Sequence, residues 1–346
     1  MKNNLNIREN ITLGPYTTLQ VGGPARYFVM AKSEDDIAEA IAFAARRSIP
    51  TFVMGGGSNV LISDNGFDGL VLRVALKGID TKQQPDGHVY LTAAAGEDWD
   101  AFVEYCVSRD LAGVENLIGI PGTVGGTPVQ NVGAYGQEVS ETIHEVRCFD
   151  RQEHRIVTLM NADCGFTYRT SIFNTSESDR YIVLGVIYRL STGGAPKLAY
   201  KDLIDHFGER RPSLADVREV ILRIRRKKSM VIDAADPNSR SAGSFFKNPV
   251  VSRETLDKLR RNFGQIPFFE FGTDVKIPAA WLIEDAGFRK GFVRGNVGIS
   301  TNHSLAIINR GAATARQMIV LKNEIQDAVR SRFDIILQPE PVMIGF

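Results

Sequence analysis

The residues best suited to chemistry in this chain are glycines. Residues 115–138 read ENLIGIPGTVGGTPVQNVGAYGQE, with six glycines, two prolines and almost no charge. Gly119, Gly122 and Gly125 recur every three residues, and Thr123 sits among them. Without a Cβ, such a run lets the backbone approach a ligand closely. It also leaves N–H groups to face an anion, the usual way of holding a pyrophosphate without a formal charge. A second run, GGGSN at 55–59, follows a short apolar segment. Two such loops would clamp the diphosphate of a dinucleotide from two sides; the alternative is that both are plain tight turns.

The common nucleotide fingerprints are missing. No G-x-x-x-x-G-K-[ST] occurs, which speaks against a P-loop NTPase. The GGGS run at 55–58 leads into Val60-Leu61-Ile62 and then Asp64-Asn65-Gly66, a strand and a turn. A Rossmann site needs a helix at that point, so this reading fails as well.

The elements that must position these loops follow from pattern. Residues 11–30 read as a loop and a strand. Ser33 caps a helix with Ile37, Ala40, Ile41 and Ala44 on one face. Thr51–Met54, Val60–Ile62 and 69–76 read as strands, as does 88–95. A helix over 98–109 carries Trp99, Phe102, Val103 and Cys106 on one stripe. Residues 144–150 and 155–159 predict a hairpin, and 181–190 a strand. Residues 191–211 read as an inserted loop with a short helix around Tyr200. Helices follow after Ser213, over 252–262 with Gly264 as the stop, and over 278–286 with Pro278 in the first turn and Gly287 as the cap. Residues 304–309 read as a strand. Thr314 and Gln317 open a long helix bearing Met318, Leu321, Ile325 and Val329. Residues 334–337 read as a final strand. The mixture is α+β, with no βαβαβ run and no repeat.

Bulk properties narrow the partners. At 346 residues the chain predicts two or three subdomains, and a net charge of +1 leaves no footprint for nucleic acid. The basic run at 223–228 reads as the solvated end of a helix. Three widely spaced cysteines suggest neither a disulfide framework nor a zinc site, and the five histidines lack ligand spacing. The N-terminus has no signal-peptide pattern, and no run is long enough to span a bilayer, so a cytoplasmic setting without membrane attachment is expected.

Several segments then occur together and in order: PTFVMGGGSNVLI, AAAGEDW, GVENLIGIPGTVGGTPVQNVGAYGQE, TYRTSIFN, SAGSFFKNP, KIPAAWLIEDAGF, VGISTNHSLAIIN and a late LQPEP. Over nearly the whole chain this set resembles the UDP-N-acetylenolpyruvoylglucosamine reductase (UDP-N-acetylmuramate dehydrogenase) family of bacterial peptidoglycan synthesis. The resemblance implies an α+β fold with an FAD-binding domain of the vanillyl-alcohol-oxidase/PCMH type in two α+β subdomains. These fall at 1–76 and 77–212. A smaller α+β substrate-binding domain follows at 213–331, and 332–346 returns near the first subdomain. The insert at 191–211 resembles the longer subtype, whose tyrosine loop folds over substrate.

The resemblance also implies the chemistry. NADPH reduces FAD, hydride passes to C3 of the enolpyruvyl ether of UDP-N-acetylglucosamine-enolpyruvate, and a proton is added at C2. Charge drawn onto the carboxylate requires a cation or an acid aimed at it. Arg169 and Glu340 match the family's positions for that role, and Ser244 matches the proton donor. Tyr168, Tyr200, Lys228, Asn248 and Lys276 match substrate contacts. For FAD, the matching residues are Gly55, Gly56, Gly57, Ser58, Asn59, Gly119, Pro121, Gly122, Thr123, Gln130, Asn131, Gly133 and Ala134. The chain departs from the family at Gly126-Thr127, where alanines are common. No His/Asp pair accompanies Ser244 in the sequence, and His303 reads as a packed structural histidine, the alternative being a histidine that faces the flavin or substrate. A monomer is expected, with NADPH and the UDP-sugar using one cleft in turn. Two other readings are an FAD-dependent alcohol or sugar oxidase of the same superfamily and a flavin-binding protein without turnover.

Overall fold

The computed structural model describes residues 5–85 and 87–346. The chain forms two compact units. One holds residues 5–11, 25–57 and 68–226; the other holds 12–24, 58–67 and 227–346. The division cuts across the blocks expected from the sequence, because 12–24 and 58–67 group with the C-terminal part. Backbone pairing is the cause. Gly23 N–H donates to Ser63 O at 2.8 Å, and strand Val342–Ile344 pairs in parallel with Val60–Ile62.

Among the described residues the first unit contains a four-stranded sheet, a six-stranded sheet and a two-stranded ladder of Gly133–Ala134 with Gln137–Glu138. In the four-stranded sheet the order is Arg8–Thr12, Pro24–Ala31, Phe67–Val74, Thr51–Met54, and the last two strands run parallel. Helix Glu34–Arg46 buries Ile37, Ala40, Ile41, Phe43 and Ala44, and a Ser33/Asp36 capping box starts it. The six-stranded sheet is antiparallel and centres on Tyr181–Thr192, twelve residues long and mostly buried. Its edge hairpin, Ile143–Asp150 with Arg155–Met160, is the predicted one. Strand Ile79–Gln83, polar and mostly exposed, escaped the sequence pattern because its outward residues carry no apolar alternation.

Helix Trp99–Val107 lies against the six-stranded sheet. Its Trp99 and Phe102 rings stack on Tyr188 of the central strand, with centroids 5.9 and 4.9 Å away. Such pairs add about 0.5–1.5 kcal/mol each beyond area burial. Trp99 Nε1–H also donates to Leu117 O at 3.0 Å, which fastens the start of the glycine stretch to the core. All three cysteines are buried thiols.

The second unit is built around helix Ala315–Phe333. Met318, Leu321, Ile325, Val329 and Phe333 point into a core with Phe245, Phe246, Leu256, Leu282 and Ile299. Besides the Thr314/Gln317 capping box, Asp64 accepts from the N–H groups of Ala315 and Arg316 at 2.7 and 2.9 Å. A carboxylate at a helix start is favourable on charge grounds as well. Two three-stranded sheets complete the unit: Val250–Val251, Asp274–Lys276, Phe269–Phe271, and Val293–Arg294, Val297–Ile299, Ile307–Asn309.

Some expectations need correction. Residues 334–337 are not a strand. The helix runs to Phe333, and Asp334 closes it in the left-handed region at φ 55°. The closing strand comes later, at Val342–Ile344, once Pro339 and Pro341 are passed. The strand expected over 304–309 is confined to Ile307–Asn309, because 300–306 form a tight turn. Pro278 stands at the N-cap, one residue before the first helical turn.

Candidate functional site

In the first unit the glycine stretch is stapled at both ends. Glu115 is buried, and its carboxylate accepts from Gly113 N–H at 2.7 Å, Lys197 N–H at 3.0 Å and Gln137 Nε2–H at 3.2 Å. Asn116 Nδ2–H donates to Tyr135 O and Lys197 O. The start of the stretch, its end and the inserted loop are thereby one hydrogen-bonded body. In the middle, Gly122 O accepts from Trp99 N–H, and Gly125 N–H donates to Ala95 O.

The two glycine loops meet. A Cβ on Gly56 would stand 2.7 Å from Gly122 Cα, and one on Gly55 would stand 2.7 Å from Thr123 Oγ1. Gly122 itself has φ 138°, a region side chains rarely adopt. The result is a cradle of two closely packed glycine loops, a kind of backbone suited to a pyrophosphate. Gly126 faces open space, and Thr127 is buried with its hydroxyl bonded to Tyr188 Oη at 2.8 Å.

Beyond the cradle, Asn131 is buried, with Nδ2–H donating to Glu138 Oε2 and Thr167 O. Arg169 Nη2–H donates to Gly133 O at 2.6 Å, and its guanidinium lies 5.4 Å from the Tyr168 ring. Asn131, Tyr135 and Arg169 have φ of 44°, 49° and 55°. Three non-glycine residues in a sparsely populated region, within one site, are a concentration of local strain. Tyr200 begins helix Lys201–Phe207 and meets Tyr135 edge-on at 5.2 Å. Burial pushes the Tyr135 hydroxyl up to about 12, against the pull of Arg225.

Arg225 is a residue the sequence reading missed. It was placed in a solvated helix end, yet it is only 8% exposed. Its Nη2–H donates to Gly119 O at 3.0 Å, while Gly119 N–H donates to Asp100 Oδ1 at 2.5 Å. Burial lowers the guanidinium's pKa, and Tyr135 and Asp100 act the other way. A signal was available: 217, 221 and 225 share one face of the helix.

In the second unit the groups come from distant segments. Phe245 N–H donates to Leu305 O at 2.8 Å, and Glu340 N–H donates to Phe245 O at 2.9 Å. Ser244 and Glu340 are both half-buried, and the residue paired with Glu340 is the one that follows Ser244. Asn59 Nδ2–H donates to Glu340 O at 3.1 Å. Ser244 Oγ stands 3.5 Å from His303 Nε2, so the histidine read as structural packing borders the serine. Lys228 precedes Ser229, whose hydroxyl accepts from Asn302 Nδ2–H at 2.8 Å. Asn248 Oδ1 accepts from Ala279 N–H at 2.9 Å, and Lys276 Nζ lies 4.8 Å from the Phe271 ring centre. Ser58 O accepts from Thr18 Oγ1–H.

Among the described residues, no group of three or more His, Cys, Asp or Glu is placed to hold a metal ion. No helix among them is long and apolar enough to cross a membrane.

Fold and cradle define the class first. Residues 25–159 match the model of an FAD binding domain, so this is a flavoprotein, and its fold is α+β. Residues 236–344 match the C-terminal domain of UDP-N-acetylenolpyruvoylglucosamine reductase. The reductase of Thermobifida fusca is 43% identical over 97% of both chains. That of Ralstonia nicotianae is 38% identical over 96% of this chain and 97% of its own. The solved reductase of Thermus caldophilus superposes with a TM-score of 0.66 over 99% of this chain and 100% of its own, at 24% identity. The chain belongs to the UDP-N-acetylenolpyruvoylglucosamine reductase family.

Proposed function

We propose that this protein is an NADPH-dependent oxidoreductase that reduces UDP-N-acetylglucosamine-enolpyruvate to UDP-N-acetylmuramate, a step of peptidoglycan precursor synthesis. When bound, FAD supplies the two-electron relay between NADPH and the enolpyruvyl carbon C3. The chain's own residues do the rest. The loops at 55–59 and 119–123 hold the pyrophosphate, and 130–134 line the flavin end. Arg169 takes the substrate carboxylate in a two-pronged hydrogen bond and stabilises the charge that builds there as C3 is reduced. Glu340, held protonated or sharing a proton, aids the same charge. Ser244 gives its hydroxyl proton to C2. An enolate carbon is basic enough to take it once the geometry is fixed. Tyr168, Lys228, Asn248 and Lys276 contact the substrate, Lys276 its diphosphate, and Tyr200 covers it.

The observation that supports this reading is the backbone pairing of Glu340 with Phe245, the residue after Ser244. In the same reading, FAD binding belongs to 1–76 and 77–212 and substrate binding to 213–331. The two substrates use one cleft in turn, a ping-pong scheme, and the protein acts as a cytoplasmic monomer. The test is the visible spectrum of the purified protein without oxygen. A yellow protein should bleach with NADPH and regain colour on adding UDP-N-acetylglucosamine-enolpyruvate. A protein that stays yellow with NADPH would instead support the reading of a flavin-binding protein without turnover.

A further inference from the structure

We propose that His303 is a positioning residue for the proton transfer, holding Ser244 by an Nε2–H···Oγ hydrogen bond. The inference rests on the functional reading above, in which Ser244 is the donor. Its own basis is the 3.5 Å separation of the two atoms. Catalytic hydrogen bonds in ligand-free structures are often this long and tighten with substrate.

The imidazole is carried on a well-braced turn. Residues 300–306 connect strands Val297–Ile299 and Ile307–Asn309, and Ser300 N–H donates to Ala306 O at 2.9 Å. Ala306 N–H donates to His303 O at 3.1 Å. Asn302 is tied to Ser229 Oγ, and Thr301 N–H donates to Asn238 Oδ1 at 3.0 Å. On the other side, the Phe245–Leu305 backbone bond fixes the serine next to the turn, and Gly243 precedes it at φ 72°. The backbone on both sides is therefore fixed, and only the rotamers of the two side chains are left to adjust.

The chemistry needs such a neighbour. An unassisted serine hydroxyl is a weak acid. When its O–H bond breaks and the C2–H bond forms, a full negative charge is left on Oγ. A donated Nε2–H stabilises that charge as it develops and costs no reorganisation at that moment. The same bond has a directional effect. With Nε2 carrying its own hydrogen, the serine hydrogen cannot point at the ring and is left to point elsewhere, toward C2. Hydride to C3 and proton to C2 together complete the two-electron reduction, with NADPH as reductant.

The experiment compares His303→Leu, His303→Gln, Ser244→Ala and the His303→Leu/Ser244→Ala double variant by anaerobic stopped flow. NADPH-driven bleaching of FAD should stay within about twofold of wild type in all four. Colour recovery with UDP-N-acetylglucosamine-enolpyruvate should slow about 10–100-fold in His303→Leu. His303→Gln, which keeps an N–H donor of similar reach, should recover most of the loss. In the Ser244→Ala background His303→Leu should cost nothing more, because the bond is already gone. A second readout is independent of turnover: the ¹⁵N signal of His303 Nε2 should be that of a protonated nitrogen and should move in Ser244→Ala. Wild-type recovery rates in His303→Leu, equal slowing of both half-reactions, full additivity with Ser244→Ala, or an unprotonated or unmoved Nε2 would overturn the inference. If the wild type itself fails to recover colour with the UDP-sugar, the functional reading falls instead, and the nitrogen signal still decides the contact.

Discussion

Around Gly56 in the first unit the proposed cofactor loops are made of backbone, whereas around Ser244 in the second unit the proposed reacting groups are side chains delivered by distant segments. In the first region the notable feature is an absence: Gly55 and Gly56 carry no Cβ where Thr123 Oγ1 and Gly122 Cα come within 2.7 Å of the place one would occupy. Rigidity comes from buried polar groups behind the loop, Glu115, Gln137 and Arg225. In the second region the working groups are half-exposed and each is braced by main-chain bonds from another segment. A cofactor retained through many turnovers suits a fixed cradle. A proton donor must meet a substrate that comes and goes, and it needs acidity that only neighbours can confer.

The contrast predicts that damage in one region removes the cofactor while damage in the other leaves it bound. The largest effect is expected for Gly56→Val. Its side chain overlaps Gly122, FAD affinity should fall by at least about 100-fold, and the purified protein should be colourless. A yellow Gly56→Val protein would break the cradle assignment. Ser244→Ala should remain yellow and be bleached by NADPH at the normal rate, with recovery by the UDP-sugar slowed about 10²–10⁴-fold. Loss of both half-reactions would place Ser244 in folding or FAD binding. Glu340→Gln should lose about 10²-fold in the same step and keep FAD; near-normal turnover would remove Glu340 from the chemistry.

Two smaller changes sharpen the account of the cradle's support. Thr127→Val strips the buried Tyr188 hydroxyl of its 2.8 Å partner and should cost about 1–3 kcal/mol in thermal or urea unfolding, with FAD still bound. Gly126→Ala should stay within about 1 kcal/mol of wild type, because nothing lies within 4 Å of the added methyl. The same change at Gly125 meets Ala95 Cβ at 2.6 Å and should be clearly worse. Equal effects at 125 and 126 would mean the stretch is looser than its hydrogen bonds imply.

Short-range pattern determined a good part of this protein. The capping boxes at Ser33 and Thr314, the hairpin at 143–160 and the stripe of helix Trp99–Val107 all depend on residues a few positions apart. The glycine stretch was legible for the same reason, since a missing Cβ is a local property. The ordered motif set pointed to Arg169, Ser244 and Glu340 through likeness, and no spacing within the chain marks them. Tertiary structure decided the rest. It turned Arg225 inward from a run of basic residues to bond Gly119 O. It moved the closing strand from 334–337 to Val342–Ile344, where Val60–Ile62 offers a parallel partner. It set His303 against Ser244 by pairing Phe245 with Leu305. Such contacts depend on where the chain crosses itself. Those crossings are set by burying a shared core, and no stretch of sequence records them alone.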